Sequence, residues 1–478
     1  MNTNLKKGFL FSAIGTYSNF ALQLIIQMVL SRLLTPKEYG IVAIIQVFIV
    51  FFQMMVEAGL GPAIIQNKKL TQKDNQNIYC ISAIFSVMLS IFFGFFGFVL
   101  SLMYNNNVYI TLTWVQSISV FFNGMNIVPT ALLNKEKRFK AVNFSSVLGN
   151  LVAAIVGLSI AFSGGGVYSL IFSAITVSFI SFLSNRFLSG ISFIFPFDIK
   201  SIKKVWTVSK NQFGFNFINY FSRNVDNILV GKFMGASALA NYNKAYQLLM
   251  LPNTLFISIV NPVLQPVLSE YQDDHQYIRK VYYEIVHILV LIGIPLSIFL
   301  SSTSKQIILI MFGSQWTEAI FPFSILSLTV WSQLIVAPVG SIFQSRNHSK
   351  VLLVTGLFTA SGLVSAIVIG ILLGSINYVA ICLTIGFIYS FIINYYRLIK
   401  YSLGGKFSIF IREFYSPVIL GGITFVVLQI EEYADPNNLF LSLIFRGILF
   451  CFCWVGFVWF TPEKKIVLKF IKRGDINE

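Results

Sequence analysis

Arg223 and Asp226 stand three residues apart inside an apolar stretch that begins near Lys210. An Arg or Asp at the centre of a membrane helix costs about 2.5 to 3.5 kcal/mol on insertion scales, so such residues face a bundle interior or a water-filled pathway rather than lipid. Their spacing puts both on one helix face. Two chemistries fit. A guanidinium grips a phosphate bidentately, with Asn216 and Asn219 on the same face and Asn224 and Asn227 close by for water or sugar hydroxyls. Alternatively, the two charges form a structural ion pair that sets helix packing. Lys244 lies a few residues inside the following span, where holding a ligand and reaching back to the outer interface are equally open readings. Glu57 sits at the inner end of the second span, just before Gly59, Gly61 and Pro62. A helix broken there would give its carboxylate either an ion to bind or a route to water. The candidate substrate-binding set is therefore Arg223, Asp226, Asn219, Asn227 and Lys244. The candidate ion-coupling set, for H+ or Na+, is Glu57 and Asp226.

Other chemistry has weaker support. Arg446 falls in a span outside the repeat described below, where a structural or headgroup role fits better than a substrate one. His275 and His348 fall in loops and His287 in a span, without metal-ligand spacing, so no metal site is expected and a solvated or packed imidazole is the default. Cys80, Cys382, Cys451 and Cys453 lie in apolar segments without CxxC spacing. No phosphate-binding loop of an ATP-driven pump is present: Leu403 to Ser408, LGGKFS, lacks the preceding strand and the hydroxyl directly after Lys. No catalytic residue and no bound cofactor are expected.

The elements that position these residues follow from composition. Of the 478 residues, 56% are hydrophobic and only 11% charged, against about 25% charged in a soluble domain. This is a polytopic membrane protein. The net charge of +16 does not point to nucleic acid, because the basic residues lie in short gaps between apolar runs rather than on one face or arm. Lys6 and Lys7 precede an apolar stretch that continues to Leu34, too long for a signal-peptide core, so the N-terminus is expected to stay on the protein. With about 20 apolar residues per crossing, spans are predicted near 8–31, 40–64, 78–103, 109–132, 141–162 and 167–188. A second set follows near 210–231, 239–268, 281–302, 316–338, 350–373 and 376–396, and two extra spans near 415–430 and 438–460.

The expected fold is thus an all-α polytopic membrane protein with about fourteen transmembrane helices. Residues 1–190 form an N-terminal six-helix lobe, 191–209 a cytoplasmic linker with an interfacial helix anchored by Trp206, 210–400 a C-terminal six-helix lobe, and 401–478 two further spans and a basic cytoplasmic tail. Basic residues support the ladder: 27 of the 34 Lys and Arg fall in gaps on the N-terminal side, including Lys68, Lys69, Lys135 and Lys204. The opposite side holds only Arg32, Lys37, Lys232 and Lys305. The positive-inside rule then places both termini in the cytoplasm.

The chain also echoes itself, since ALANYNKAYQ from Ala238 resembles TPKEYGIVAI from Thr35, with Tyr242 in the place of Tyr39. Six spans is an even number, so the two lobes start on the same side and are related by a pseudo-two-fold along the membrane normal. Transporters of that plan bind substrate between the halves near the midplane, here beside spans 1, 2, 7 and 8.

The stretch KKGFLFSAIGTYSNFALQLIIQMVLSRLLTPKEYGIVAIIQVF, with Arg32, Leu34, Pro36, Tyr39 and Gly40, resembles the polysaccharide transport family, the Wzx-type flippases of lipid-linked O-antigen and exopolysaccharide units. The similarity continues through Glu57 to Gln66 and through RNVDNILVGKFMGASALANYNKAYQL. The resemblance implies a MATE-like member of the MOP superfamily, with two six-helix lobes around a V-shaped cationic cavity suited to a diphosphate-linked glycan. It also implies a multi-pass protein of the bacterial inner membrane that moves undecaprenyl-diphosphate-linked oligosaccharide by alternating access. Its implied partners are the lipid-linked oligosaccharide, membrane lipids, and a polysaccharide polymerase with its chain-length regulator. Spans 1 to 6 carry few charges, a departure from the most cationic members. Two alternatives remain: a cation-coupled exporter of small molecules, which calls for an apolar cavity with acidic groups, and a membrane glycan polymerase or ligase, which calls for a large external loop that the short gaps here do not provide.

Overall fold

The computed structural model describes residues 19–57, 59–198, 201–203, 205, 213, 220, 224–269, 271, 274–346, 348–432 and 438–468. Among them every regular element is a helix. The chain forms two compact units, Met1–Ala240 and Asn241–Glu478.

In the first unit, helix α1 covers Asn19–Leu33. Helix α2, Pro36–Glu57, starts at a capping box written into TPKE. Thr35 N and Oγ1 donate to Glu38 Oε2 at 2.7 and 2.8 Å, and Glu38 N donates back to Thr35 Oγ1 at 3.3 Å. Pro36 takes the first helical position, where its missing N–H costs nothing. The motif that marks the family resemblance is therefore, in physical terms, a helix start. Gly40 lets α2 approach the Ala236 carbonyl so closely that any Cβ would overlap it. The second span breaks where Gly59 adopts φ 70°, a left-handed conformation open to glycine, and resumes as α3, Leu60–Gln66.

Thr71 and Asp74 form a second capping box at the start of α4, Gln72–Tyr104. Helix α5 covers Val108–Lys135, α6 Phe139–Phe162 and α7 Val167–Ser189. Helix α4 packs along α5, α5 along α7, and α6 along α7, around a core that includes Leu60, Ile64, Tyr79, Val128 and Phe182. Residues 224–234 form α8. The unit extends past the expected lobe end at 190, and its contacts supply the reason. Tyr220 Oη donates to the Val47 carbonyl and Lys232 Nζ to the Met103 carbonyl, so this segment is fastened to α2 and α4.

Helix α9, Ala236–Ser269, leads into the second unit, where α10 covers His275–Ser302 and α11 Ser304–Phe312. The tenth expected span consists of two halves, Ser314–Ser327 and Val330–Ser345, bent by 54°. They contain α12, Ile320–Ser327, α13, Val330–Val336, and α14, Val339–Ser345. Helix α15 is Ser349–Leu372, α16 Ile376–Leu398, α17 Phe407–Ile411, α18 Tyr415–Glu432 and α19 Leu439–Phe460. Helix α10 packs on α12 and α13, α12 on α16, and α15 on α16. Taken one unit at a time, this is the pairing that α4 makes with α5, α5 with α7 and α6 with α7, as an internal repeat requires. Tyr282 and Tyr395 lock the second core, their hydroxyls 2.9 Å apart and the Tyr395 hydroxyl donating to the Ile335 carbonyl at 2.7 Å.

Nine helices among the described residues are long and apolar enough to cross a membrane, ten when the bent pair counts as one span. Four further expected positions fall on α1, α5, α8 and α9, none of which meets that length and hydropathy test among the described residues.

Candidate substrate and ion sites

Helix α5 carries Asn123, Asn126, Thr130 and Asn134 at relative positions 0, 3, 7 and 11, a spacing that lines one face of a helix. Together with Glu57, Gly61 and Pro62 from the α2–α3 break, that face lines a cavity of about 290 Å3 inside the first unit. Neighbouring helices fix how the amides present themselves. Asn123 Nδ2 donates to the Ser119 carbonyl and to Ser178 Oγ, both at 2.9 Å, which leaves its Oδ1 as an acceptor. Asn126 Oδ1 accepts from Thr130 Oγ1 at 3.1 Å and from Asn185 Nδ2 at 3.0 Å, which leaves its own Nδ2 as a donor. Glu57 adds a half-buried carboxylate with no hydrogen bond or ion pair among the described residues. It stands at the C-terminal end of α2, where unsatisfied carbonyls already supply negative potential, so a donor or a cation is favoured next to it. No basic side chain among the described residues lines the cavity. Lys135, directly after Asn134, donates to the Asn67 carbonyl at 2.7 Å.

Two of the residues singled out from sequence, Arg223 and Asn219, lie outside the described residues, as does Asn216. Asp226 is buried on α8, and its Oδ1 accepts from the Asn227 backbone N–H at 2.8 Å. It does not line the Glu57 cavity. Asn227 has a buried Oδ1 without a hydrogen-bond partner among the described residues, and Asn224 Nδ2 donates to the Tyr220 carbonyl at 2.9 Å.

Lys244, on α9, is only 5% exposed, with Nζ 4.6 Å from the Phe312 ring centre and 5.2 Å from that of Trp316. Its ammonium is enclosed by aromatic faces rather than extended to an interface. One turn earlier, Asn241 Nδ2 donates to Glu318 Oε2 at 3.1 Å. Arg446 is buried on α19, and its Nη1 donates to the Ser302 carbonyl at the end of α10 at 3.0 Å.

Of the two readings offered for it, solvated or packed, His287 is packed: it is buried. Its Nδ1 lies 3.1 Å from Glu413 and its Nε2 2.7 Å from Glu463, both carboxylates flanking the last two spans. Sequence reasoning missed this cluster, whose partners are far along the chain, and missed the amide face of α5. For the latter a signal was available, since polar residues recur there at helical period within an otherwise apolar span.

Comparison with known proteins adds the following. Residues 29–321 match a family model described as polysaccharide biosynthesis protein. The teichuronic acid biosynthesis protein TuaB of Bacillus subtilis (strain 168) is 24% identical over 99% of both chains. The lipopolysaccharide biosynthesis protein WzxC of Escherichia coli (strain K12) is 23% identical, covering 88% of this chain and 86% of the relative. Among solved structures, the lipid II flippase MurJ in an inward closed conformation superposes with a TM-score of 0.75 at 14% identity, over 94% of this chain and 98% of that one. At that identity the likeness shows a shared fold.

Proposed function

We propose a function for a chain that belongs to the polysaccharide biosynthesis protein family: it is a flippase that carries an undecaprenyl-diphosphate-linked oligosaccharide unit from the cytoplasmic to the outer leaflet of a bacterial cell membrane. The cavity inside the first unit carries this reading. Four amide and hydroxyl side chains and one carboxylate line it beside Pro62, Ile65, Ile127 and Ala131, which offers hydrogen-bonding groups to sugar hydroxyls and apolar surface to sugar ring faces. The glycan crosses by alternating access while its lipid tail stays in the bilayer, and the product serves O-antigen, exopolysaccharide or capsule assembly. The chain is a transporter, not an enzyme. In a cell with two membranes it resides in the inner one, with both termini cytoplasmic as the basic-residue ladder argues.

Arg223 is assigned to the diphosphate, with Asn219, Asn227 and Lys244 contributing to the substrate path. Asp226 and Glu57 are the carboxylates available to couple transport to H+ or Na+, since ionisable groups within spans mark such pathways. A polymerase with its chain-length regulator would receive the unit on the outer face. The test is a strain that lacks this chain, where single lipid-linked units are expected to accumulate on the inner face. Units that instead gather on the outer face would point to a polymerase or ligase.

A further inference from the structure

We propose that the cavity between the α2–α3 break and the amide face of α5 is a sugar subsite, with Glu57 accepting hydrogen bonds from the hydroxyls of one sugar residue rather than holding the coupling ion. The inference rests on the flippase reading and narrows it to a place and a set of atoms. Size is the first argument: about 290 Å3 is near the lower end of small-molecule pockets, roughly 300 to 1,000 Å3, and far larger than a bare ion needs.

The second argument is the mixture of groups. A cation site wants converging oxygens at short range and no competing N–H groups. Here the bonds from Thr130 and Asn185 occupy Asn126 Oδ1, so that the carboxamide presents its Nδ2 donor. Asn123, held through its own Nδ2, presents an acceptor. A sugar hydroxyl both donates and accepts, so a wall of alternating donor and acceptor with one carboxylate matches a ring of vicinal hydroxyls. Among the described residues no basic side chain lines the pocket. The diphosphate is left to Arg223, as proposed above. Coupling is then left to Asp226.

Gly61 gives the means of testing the subsite without disturbing its hydrogen bonds. A Cβ built there meets nothing nearer than Glu57 Oε1 at 3.5 Å, so a larger side chain would grow into the cavity. Full-length protein in nanodiscs would be titrated with two probes: undecaprenyl diphosphate, and the lipid-linked unit extracted from the strain that lacks this chain. The unaltered chain is expected to bind the glycan-bearing probe about ten-fold tighter or more. Gly61→Leu is expected to erase that advantage while keeping the affinity for undecaprenyl diphosphate, Gly61→Ala to keep both, and Glu57→Gln to shrink the advantage in part. A glycan advantage that survives Gly61→Leu overturns the subsite. So does a result in which Gly61→Leu and Glu57→Gln abolish only a sodium dependence of binding, which would make the cavity a cation site. If the unaltered chain binds undecaprenyl diphosphate no better than empty nanodiscs do, the flippase reading itself fails.

Discussion

Arg223 and Asp226 stand three residues apart in the sequence, and a short series of substitutions separates a phosphate grip from a structural pair. If Arg223 holds the diphosphate, Arg223→Ala removes surface glycan at near-normal protein level. Arg223→Lys keeps part of the function, because the charge survives while the bidentate fork is lost. The double change Arg223→Ala with Asp226→Ala stays folded and inactive. A structural pair predicts the opposite pattern: breaking a buried pair costs about 3 to 5 kcal/mol, so the single change depletes folded protein and the double change restores protein and transport together. Immunoblots and surface-glycan staining of the same cells read both quantities. At this scale the charged candidates were legible in the sequence because a charge in an apolar run stands out. Asn123, Asn126 and Asn134 were not, because neutral amides scattered over a long helix disturb local hydropathy little, and only their period reveals a face. Lys244 was legible as a position but not as an environment, since Phe312 and Trp316 come to it from elsewhere in the chain.

Elements are positioned here by a few local devices. Capping boxes at Thr35 and Thr71 start α2 and α4, and a left-handed Gly59 breaks the second span beside Glu57. The Gly59 break and the polar context of Glu57 could be anticipated from EAGLGP. The fastening of the last two spans could not, because Glu463 lies 176 residues from His287. That cluster ties α10 to both α18 and α19, aided by Arg446 Nη1 on the Ser302 carbonyl and Trp454 Nε1 on the Leu291 carbonyl at 3.2 Å. His287→Ala leaves two carboxylates facing a vacated site, Glu463 almost fully buried and Glu413 less so. It is therefore expected to lower the unfolding temperature in detergent by several degrees. His287→Leu combined with Glu413→Gln and Glu463→Gln, which removes every charge at once, is expected to recover most of the loss. Equal unfolding temperatures for the unaltered chain and His287→Ala would show that the cluster does not fasten these helices.

For the whole molecule, the alternation of basic and neutral gaps made the span ladder readable from sequence. Contacts that hydropathy does not encode hold residues up to Ala240 in the first unit: Gly40 seats against Ala236 and Lys232 reaches the Met103 carbonyl. The ladder makes an orientation prediction. A cysteine placed at Lys69 or Lys204 should be protected from an impermeant maleimide in intact cells, and one at Glu432 should be labelled. Labelling that put Lys204 and Lys406 on opposite sides would contradict the parallel repeat.

The central claim, that this chain moves lipid-linked glycan across the membrane, is tested most directly by the fraction of single lipid-linked units that an impermeant oxidant reaches in intact protoplasts or spheroplasts lacking the polymerase. With the chain present, the account predicts that most units are oxidised. Without it the reachable fraction falls to background, and re-expression restores it. An unchanged reachable fraction in cells without the chain would contradict the account.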